Sequence, residues 1–88
     1  MYEIIFTKEA ENQLKKLNQS VQERIGSALE RIKVRPHNFT KRMYDEPYYR
    51  VRVDNYRMIL DIQDTALLIY VIDLDTRGNI YKNLHSFT

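Results

Sequence analysis

Apolar positions along the chain change their period near the middle. Tyr2 to Phe6 is a short run with β-branched and aromatic residues and predicts a strand. Thr7 follows as a helix cap, with Glu9 and Glu11 near the positive end of the helix dipole. Ala10, Leu14 and Leu17 then recur at helical spacing and make one apolar stripe. Asn18-Gln19 interrupts that stripe. Ser20-Val21-Gln22-Glu23 reads as a capping box that starts a second helix. Its apolar face is Val21, Ile25, Ala28, Leu29 and Ile32. Pro36 is expected to end it, because the residue before a proline avoids the helical region.

The second half is dominated by alternation. Residues 36–47 are expected to form a loop, with a short strand around Lys41 to Tyr44. Tyr48 to Val53 alternates cleanly, and Asp54-Asn55 suits a two-residue hairpin turn, since both residue types tolerate positive φ. Tyr56 to Ile62 is the returning strand, and 63–65 form a second turn. Ala66 to Leu74 is long and mostly apolar, as expected at the centre of a sheet. Asp75 to Thr88 is expected to be a loop followed by a short helix or irregular tail. The order predicts one α+β domain over residues 1–88. An N-terminal strand and an antiparallel helical hairpin pack on one face of an antiparallel sheet of three to four further strands, with a short C-terminal helix or tail.

The hairpin makes a geometric prediction. With Asp54-Asn55 as the turn, Val53 faces Tyr56 and Arg52 faces Arg57, and directly opposed residues share a sheet face. Alternation then places Arg50, Arg52 and Arg57 on one face. Tyr49, Val51, Val53, Tyr56, Met58, Leu60 and Ile62 fall on the other, which is the core face under the helices. A slip of one residue would bury the arginines, so the register is well specified. Like charges opposed across strands are destabilising, and packing supplies no reason for Arg52 to face Arg57. A negatively charged ligand does, because guanidinium forks match phosphate oxygens and stay charged. A solvated strand face, with Asp61 among the arginines, is the plainer alternative.

Composition narrows the classes. The chain has 88 residues, enough for one domain that buries only about two-thirds of its unfolded surface. Net charge is +2 with a pI near 8.9, a mild basic bias whose meaning depends on where the arginines sit. There is no cysteine, which removes thiol nucleophiles and zinc-finger sites and favours a reducing, cytoplasmic setting. Met1 to Phe6 contains no basic region leading into a long apolar run, so no signal peptide is expected, and no apolar stretch approaches a membrane span.

Tyr49-Arg50-Val51-Arg52-Val53, a tight turn, and Tyr56-Arg57-Met58-Ile59 resemble the central hairpin of RelE-type toxins, a basic-x-basic strand followed by Tyr-Arg. Leu74-Asp75-Thr76-Arg77-Gly78-Asn79-Ile80-Tyr81-Lys82 is similar to that family's C-terminal motif, an arginine four residues before a tyrosine. Lys15-Lys16-Leu17 in the first helix is also common there. The resemblance spans nearly the whole chain and points to the RelE/ParE toxin superfamily. It implies the RelE-like fold and a toxin of a type II toxin–antitoxin system, acting as a metal-independent, ribosome-dependent endoribonuclease on mRNA in the ribosomal A site. No cofactor is implied. The family's catalytic set carries over by motif onto Arg50, Arg52, Arg57, Arg77 and Tyr81. The expected partners are the ribosome, mRNA and a RelB-like antitoxin with an amphipathic, acidic segment. Ile59, Leu68, Tyr70 and Ile72 are expected to offer exposed apolar area beside the arginines for that antitoxin.

The chemistry implied is attack of a 2′-hydroxyl on the adjacent phosphate, leaving a 2′,3′-cyclic phosphate and a 5′-hydroxyl. Tyr81 would take the hydroxyl proton, with arginines favouring its phenolate. Arg57 and Arg77 would hold the phosphate as charge develops, and Arg50 and Arg52 would orient the backbone or assist the leaving oxygen. Some relatives carry lysines at the basic pair, which leaves the general acid unassigned. Asp75, beside the C-terminal motif, would repel phosphate unless paired with Arg77. The alternatives are a ParE-like inhibitor of DNA gyrase on the same fold, which cleaves nothing, or a degenerate toxin acting as a binding module. His37 and His85 match no metal spacing; a surface role suits them better than a nuclease Glu/His pair. Asp73 and Asp75 alone are a weak metal signal. Tyr44, Tyr48 and Tyr70 suit base stacking, but half-buried sheet aromatics suit them at least as well.

Overall fold

Thr7 is where the first strand becomes the first helix. Its backbone is extended, and its hydroxyl accepts the Ala10 N–H at 3.2 Å, satisfying one of the donors a helix start leaves open. In this computed structural model, which describes residues 1–76, strand β1 (Glu3–Phe6) leads into helix α1 (Lys8–Lys15), and α2 (Gln19–Ile32) follows. The cap of α2 is Asn18 rather than the expected Ser20: the Asn18 carboxamide oxygen accepts the Val21 N–H at 2.9 Å. Asparagine there reaches the third helical residue's N–H, so Ser20 is already inside the first turn.

Pro36 also behaves differently from expectation. The second helix ends at Ile32, and Pro36 opens a separate helical turn, α3 (Pro36–Phe39), inside the stretch expected to be loop. Proline fits this position because the first N–H of a helix has no intrahelical acceptor to lose. The Thr40 hydroxyl closes that turn by donating to the Pro36 carbonyl at 2.8 Å. The short strand expected nearby is β2 (Lys41–Arg42).

Strands β3 (Tyr49–Val53), β4 (Tyr56–Gln63) and β5 (Leu68–Thr76) complete a five-stranded sheet in the order β1-β5-β4-β3-β2. β2 to β5 pair antiparallel, as expected, while β1 joins the far side of β5 in parallel. β5 is an interior strand, but β4 holds the middle of the sheet. Asp75 and Thr76, expected in a loop, extend β5; the rest of the expected tail lies outside the described residues. The β3–β4 turn is Asp54-Asn55, with Asp54 in the left-handed region at φ 55°. An ion pair from Arg24 of α2 to the Asp54 carboxylate ties this turn to the helical layer.

One sheet face packs against the helices. Ala10, Val21, Ile25, Leu29 and Ile32 meet Met58, Leu60, Ile62, Ile69, Val71 and Leu74, all buried. Tyr49, Val51, Val53 and Tyr56 pack on the margin of this core, so the face assignment made from alternation holds. Burying each large side chain contributes roughly 1.5–3 kcal/mol before conformational entropy is counted.

Strand β5 contains an irregularity that strict alternation would miss. Ile59 pairs with Asp73 but Leu60 pairs with Val71, which leaves Ile72 without a partner opposite it on β4. The extra residue reverses the facing of everything after it. Ile69 and Val71 point into the core before the bulge, and Leu74 does so after it. Asp73 and Asp75 are thereby turned away from the core, where uninterrupted alternation would have buried them. Asp73 is held near α1: its carboxylate accepts from Gln13 Nε2 at 2.8 Å and from the Leu74 N–H at 2.9 Å.

Candidate phosphate-binding face

The register of β3 against β4 places Arg52 directly opposite Arg57 and Arg50 opposite Ile59. Directly opposed Cβ atoms stand about 4.5–5.5 Å apart, so Arg52 and Arg57 address one small region of the face away from the helices. Arg50 follows two residues along β3, displaced by about 6.8 Å on the same face. Arg50 and Arg52 are exposed and Arg57 is half-buried. Arg52 Nε donates to the Asp54 carbonyl at 3.3 Å, which steadies its stem near the turn while leaving the terminal nitrogens for other acceptors.

Lys41 and Asp75 join this face through pairings that the local sequence does not announce, and Asp61 and Asp73 share it farther along β4 and β5. Lys41 of β2 pairs with Arg50, so the cationic patch reaches the sheet edge. Asp75 of β5 pairs with Arg57, placed there by the bulge. Its presence moderates the positive potential on that side and bears on how Arg57 is oriented. Asp75 stands opposite Arg57, and its expected pairing with Arg77 lies outside the described residues. Arg77 and Tyr81, the remaining members of the expected set, lie outside the described residues, as does His85.

The apolar residues expected to flank the arginines divide into two kinds. Leu68, Tyr70 and Ile72 are half-buried, but Ile59 is only 5% exposed and offers no docking area. It lies on the middle strand, flanked by Arg50 on one side and Asp73 on the other. Tyr44, by contrast, is 90% exposed in the β2–β3 connection.

His37 has a structural assignment. Its Nε2 lies 2.8 Å from Asp64 Oδ1, the same oxygen that accepts the Tyr2 hydroxyl at 2.7 Å. The cluster joins α3, the β4–β5 turn and the N-terminal segment. The Tyr2 hydrogen bond, then that of His37, holds the Asp64 carboxyl below the usual aspartate range, and the same bond pushes the Tyr2 phenol up. The His37 ring also meets Tyr49 edge-on at 5.1 Å. Among the described residues no group of three or more histidine, cysteine or acidic side chains gathers as metal ligands do.

Comparison with known proteins agrees with this geometry. The family model for the ParE toxin of type II toxin–antitoxin systems matches residues 4–81. No curated protein sequence matches the chain. Among solved structures, the isolated RelE toxin of E. coli superimposes with a TM-score of 0.77 at 20% identity, over 98% of this chain and 97% of that one. The toxin–antitoxin complex RelBE2 of Mycobacterium tuberculosis gives a TM-score of 0.78 at 23% identity, over 86% and 98%. The archaeal RelE–RelB complex of Pyrococcus horikoshii gives 0.73 at 20% identity, over 88% and 96%. At these identities the likeness concerns the fold.

Proposed function

The chain belongs to the ParE toxin family of type II toxin–antitoxin systems, and from that premise we propose that it is a ribosome-dependent endoribonuclease of the RelE kind, acting in the cytoplasm on mRNA in the ribosomal A site. The observation that carries this reading is the directly opposed pair Arg52 and Arg57, with Arg50 beside them, on the sheet face that none of the described helices covers. Opposed like charges are a cost in the folded chain alone, and a phosphodiester relieves it.

In the proposed reaction the 2′-hydroxyl oxygen attacks the adjacent phosphorus and the P–O5′ bond breaks. A 2′,3′-cyclic phosphate and a 5′-hydroxyl result. Arg57 and Arg77 stabilise the negative charge that builds on the non-bridging oxygens. Tyr81, as the phenolate, accepts the 2′-hydroxyl proton, the leaving 5′-oxygen takes a proton from solvent water, and Arg50 and Arg52 orient the phosphodiester backbone. No metal or cofactor has a part in this scheme. A RelB-like antitoxin is the proposed inhibitor. An open groove of about 520 Å³, lined by Ala28, Ile32, Phe39, Val51 and Val53, with Arg31 and Arg52 at its side and Arg24 there paired to Asp54, suits an amphipathic acidic segment.

The second reading, inhibition of DNA gyrase without cleavage, is favoured by the ParE name of the matching family model. Primer extension on a translated mRNA, with and without ribosomes, separates the two. Discrete cuts that need ribosomes, lowered about a hundredfold or more by Arg57→Ala or Tyr81→Phe, support the nuclease. Blocked supercoiling with intact RNA supports the gyrase reading, and full cleavage by both variants ends the residue assignment.

A further inference from the structure

The cationic face does not stop at the hairpin arginines. Lys41 and Arg42 are consecutive, and β2 pairing sends them to opposite faces. Arg42 pairs with Tyr49 on the helical side, and its guanidinium carbon lies 6.0 Å from the centre of that ring. It has a partner within the protein. Lys41 pairs with Arg50 on the open side and is exposed. Neither Lys41 nor Arg50 takes part in an ion pair among the described residues. A second pair of opposed cations therefore lies beside the first. The two pairs are offset by two residues along β3, about 6.8 Å, and by one strand spacing across the sheet, about 4.8 Å, so their centres lie about 8 Å apart, a span that long side chains converging from both sites can match to consecutive phosphates of an extended single strand.

We propose that Lys41 and Arg50 form a second phosphate site, which holds the nucleotide next to the scissile linkage while the Arg52–Arg57 pair holds the scissile phosphate. This rests on the reading of the face as an RNA surface. Lys41 is a positioning residue in this arrangement. It sets the strand's path across the sheet and does not touch the reacting atoms. An edge-strand lysine also guards a sheet against pairing with other chains. That role alone predicts a changed association state on substitution, with RNA binding untouched.

The adjacent cation on the opposite face provides the control. Full-length wild type, Lys41→Ala and Arg42→Ala are compared for binding of a single-stranded 2′-deoxy oligonucleotide, which lacks the attacking hydroxyl, over a series of salt concentrations. One lost phosphate contact lowers the slope of log affinity against log salt by about 0.7 and weakens binding about fourfold at 0.15 M salt. Lys41→Ala is expected to show both changes and Arg42→Ala neither. In the ribosome assay Lys41→Ala should slow cleavage at low toxin concentration and match wild type at saturation. Equal losses in the two variants would reduce the effect to bulk charge and overturn the proposal, as would an unchanged slope in Lys41→Ala. Wild type that binds no free oligonucleotide but cuts on ribosomes moves the comparison to the low-concentration cleavage assay, where Lys41→Ala equal to wild type overturns the proposal. Wild type that neither binds the oligonucleotide nor cuts on ribosomes would refute the RNA reading of the whole face, a different and recognisable outcome.

Discussion

Arg52→Gln should make the protein more stable and less active at once. Arg52 is opposed to Arg57 across β3 and β4. With the long side chains splayed so that their charges stand about 8 Å apart in a water-like dielectric, the repulsion is about 0.5 kcal/mol. That lies within the 0.2–1 kcal/mol typical of cross-strand pairs. Glutamine keeps most of the side-chain length and retains a donor for the Asp54 carbonyl, which Arg52 Nε reaches at 3.3 Å, so little is lost on the other side. Asp75, opposite Arg57 on β5, remains in place and attracts it as before. The net gain of about 0.5 kcal/mol corresponds to a rise in Tm of about 2–4 °C for a domain of this size. The signature is its salt dependence. At 1 M salt the screening length falls to about 3 Å, so the difference between variant and wild type should vanish. Thermal unfolding followed by circular dichroism at low and high salt measures this directly. An Arg52→Gln protein that is equally or less stable at low salt, or whose gain persists at 1 M, would refute the electrostatic argument. Cleavage by the same variant should fall at least tenfold, since a face arranged for a ligand trades stability for function.

Two other substitutions test the fold. Asn18→Ala should cost about 1 kcal/mol in urea unfolding through loss of its cap on the Val21 N–H, whereas Ser20→Ala should stay within about 0.5 kcal/mol; the reverse ranking would restore Ser20 as the cap. Asp64→Asn should weaken the link between Tyr2, His37 and the β4–β5 turn at neutral pH, by an amount kept small by exposure. Because the folded-state pKa of Asp64 is depressed, its contribution is present above the ordinary aspartate pKa and lost as pH falls through the folded value. The stability gap between wild type and Asp64→Asn should therefore close in acid, and a gap that widens there would contradict the assignment. The raised Tyr2 pKa acts at the other end: its share is complete below the ordinary tyrosine pKa and disappears as pH rises through the folded value.

Much of this architecture is legible without coordinates because it follows from local periodicity. The stripe through Val21, Ile25, Leu29 and Ile32 can bury its apolar side only as a helix, and the alternation from Tyr49 to Ile62 can do so only as paired strands. Asp54-Asn55 then sets the register, and with it the opposition of Arg52 and Arg57. The differences at the helix ends are also local in origin. Asn18 and Ser20 both carry capping side chains, and only the path of the chain out of α1 decides which one caps. Pro36 serves equally as a helix end or a helix start by its own chemistry.

What the amino-acid order determined by itself, then, is each element's type and the identity of its buried face, since burying apolar area is a demand on near neighbours in the chain. Pairing between strands decided the rest. The parallel docking of β1 beside β5 joins opposite ends of the described chain, while the two-residue pairing that carries Lys41 to Arg50 and the bulge at Ile72 that turns Asp73 and Asp75 away from the core depend on how consecutive strands align across their connections. One inserted residue reverses a strand's facing, and nothing in the local composition of β5 says where the partner strand will skip.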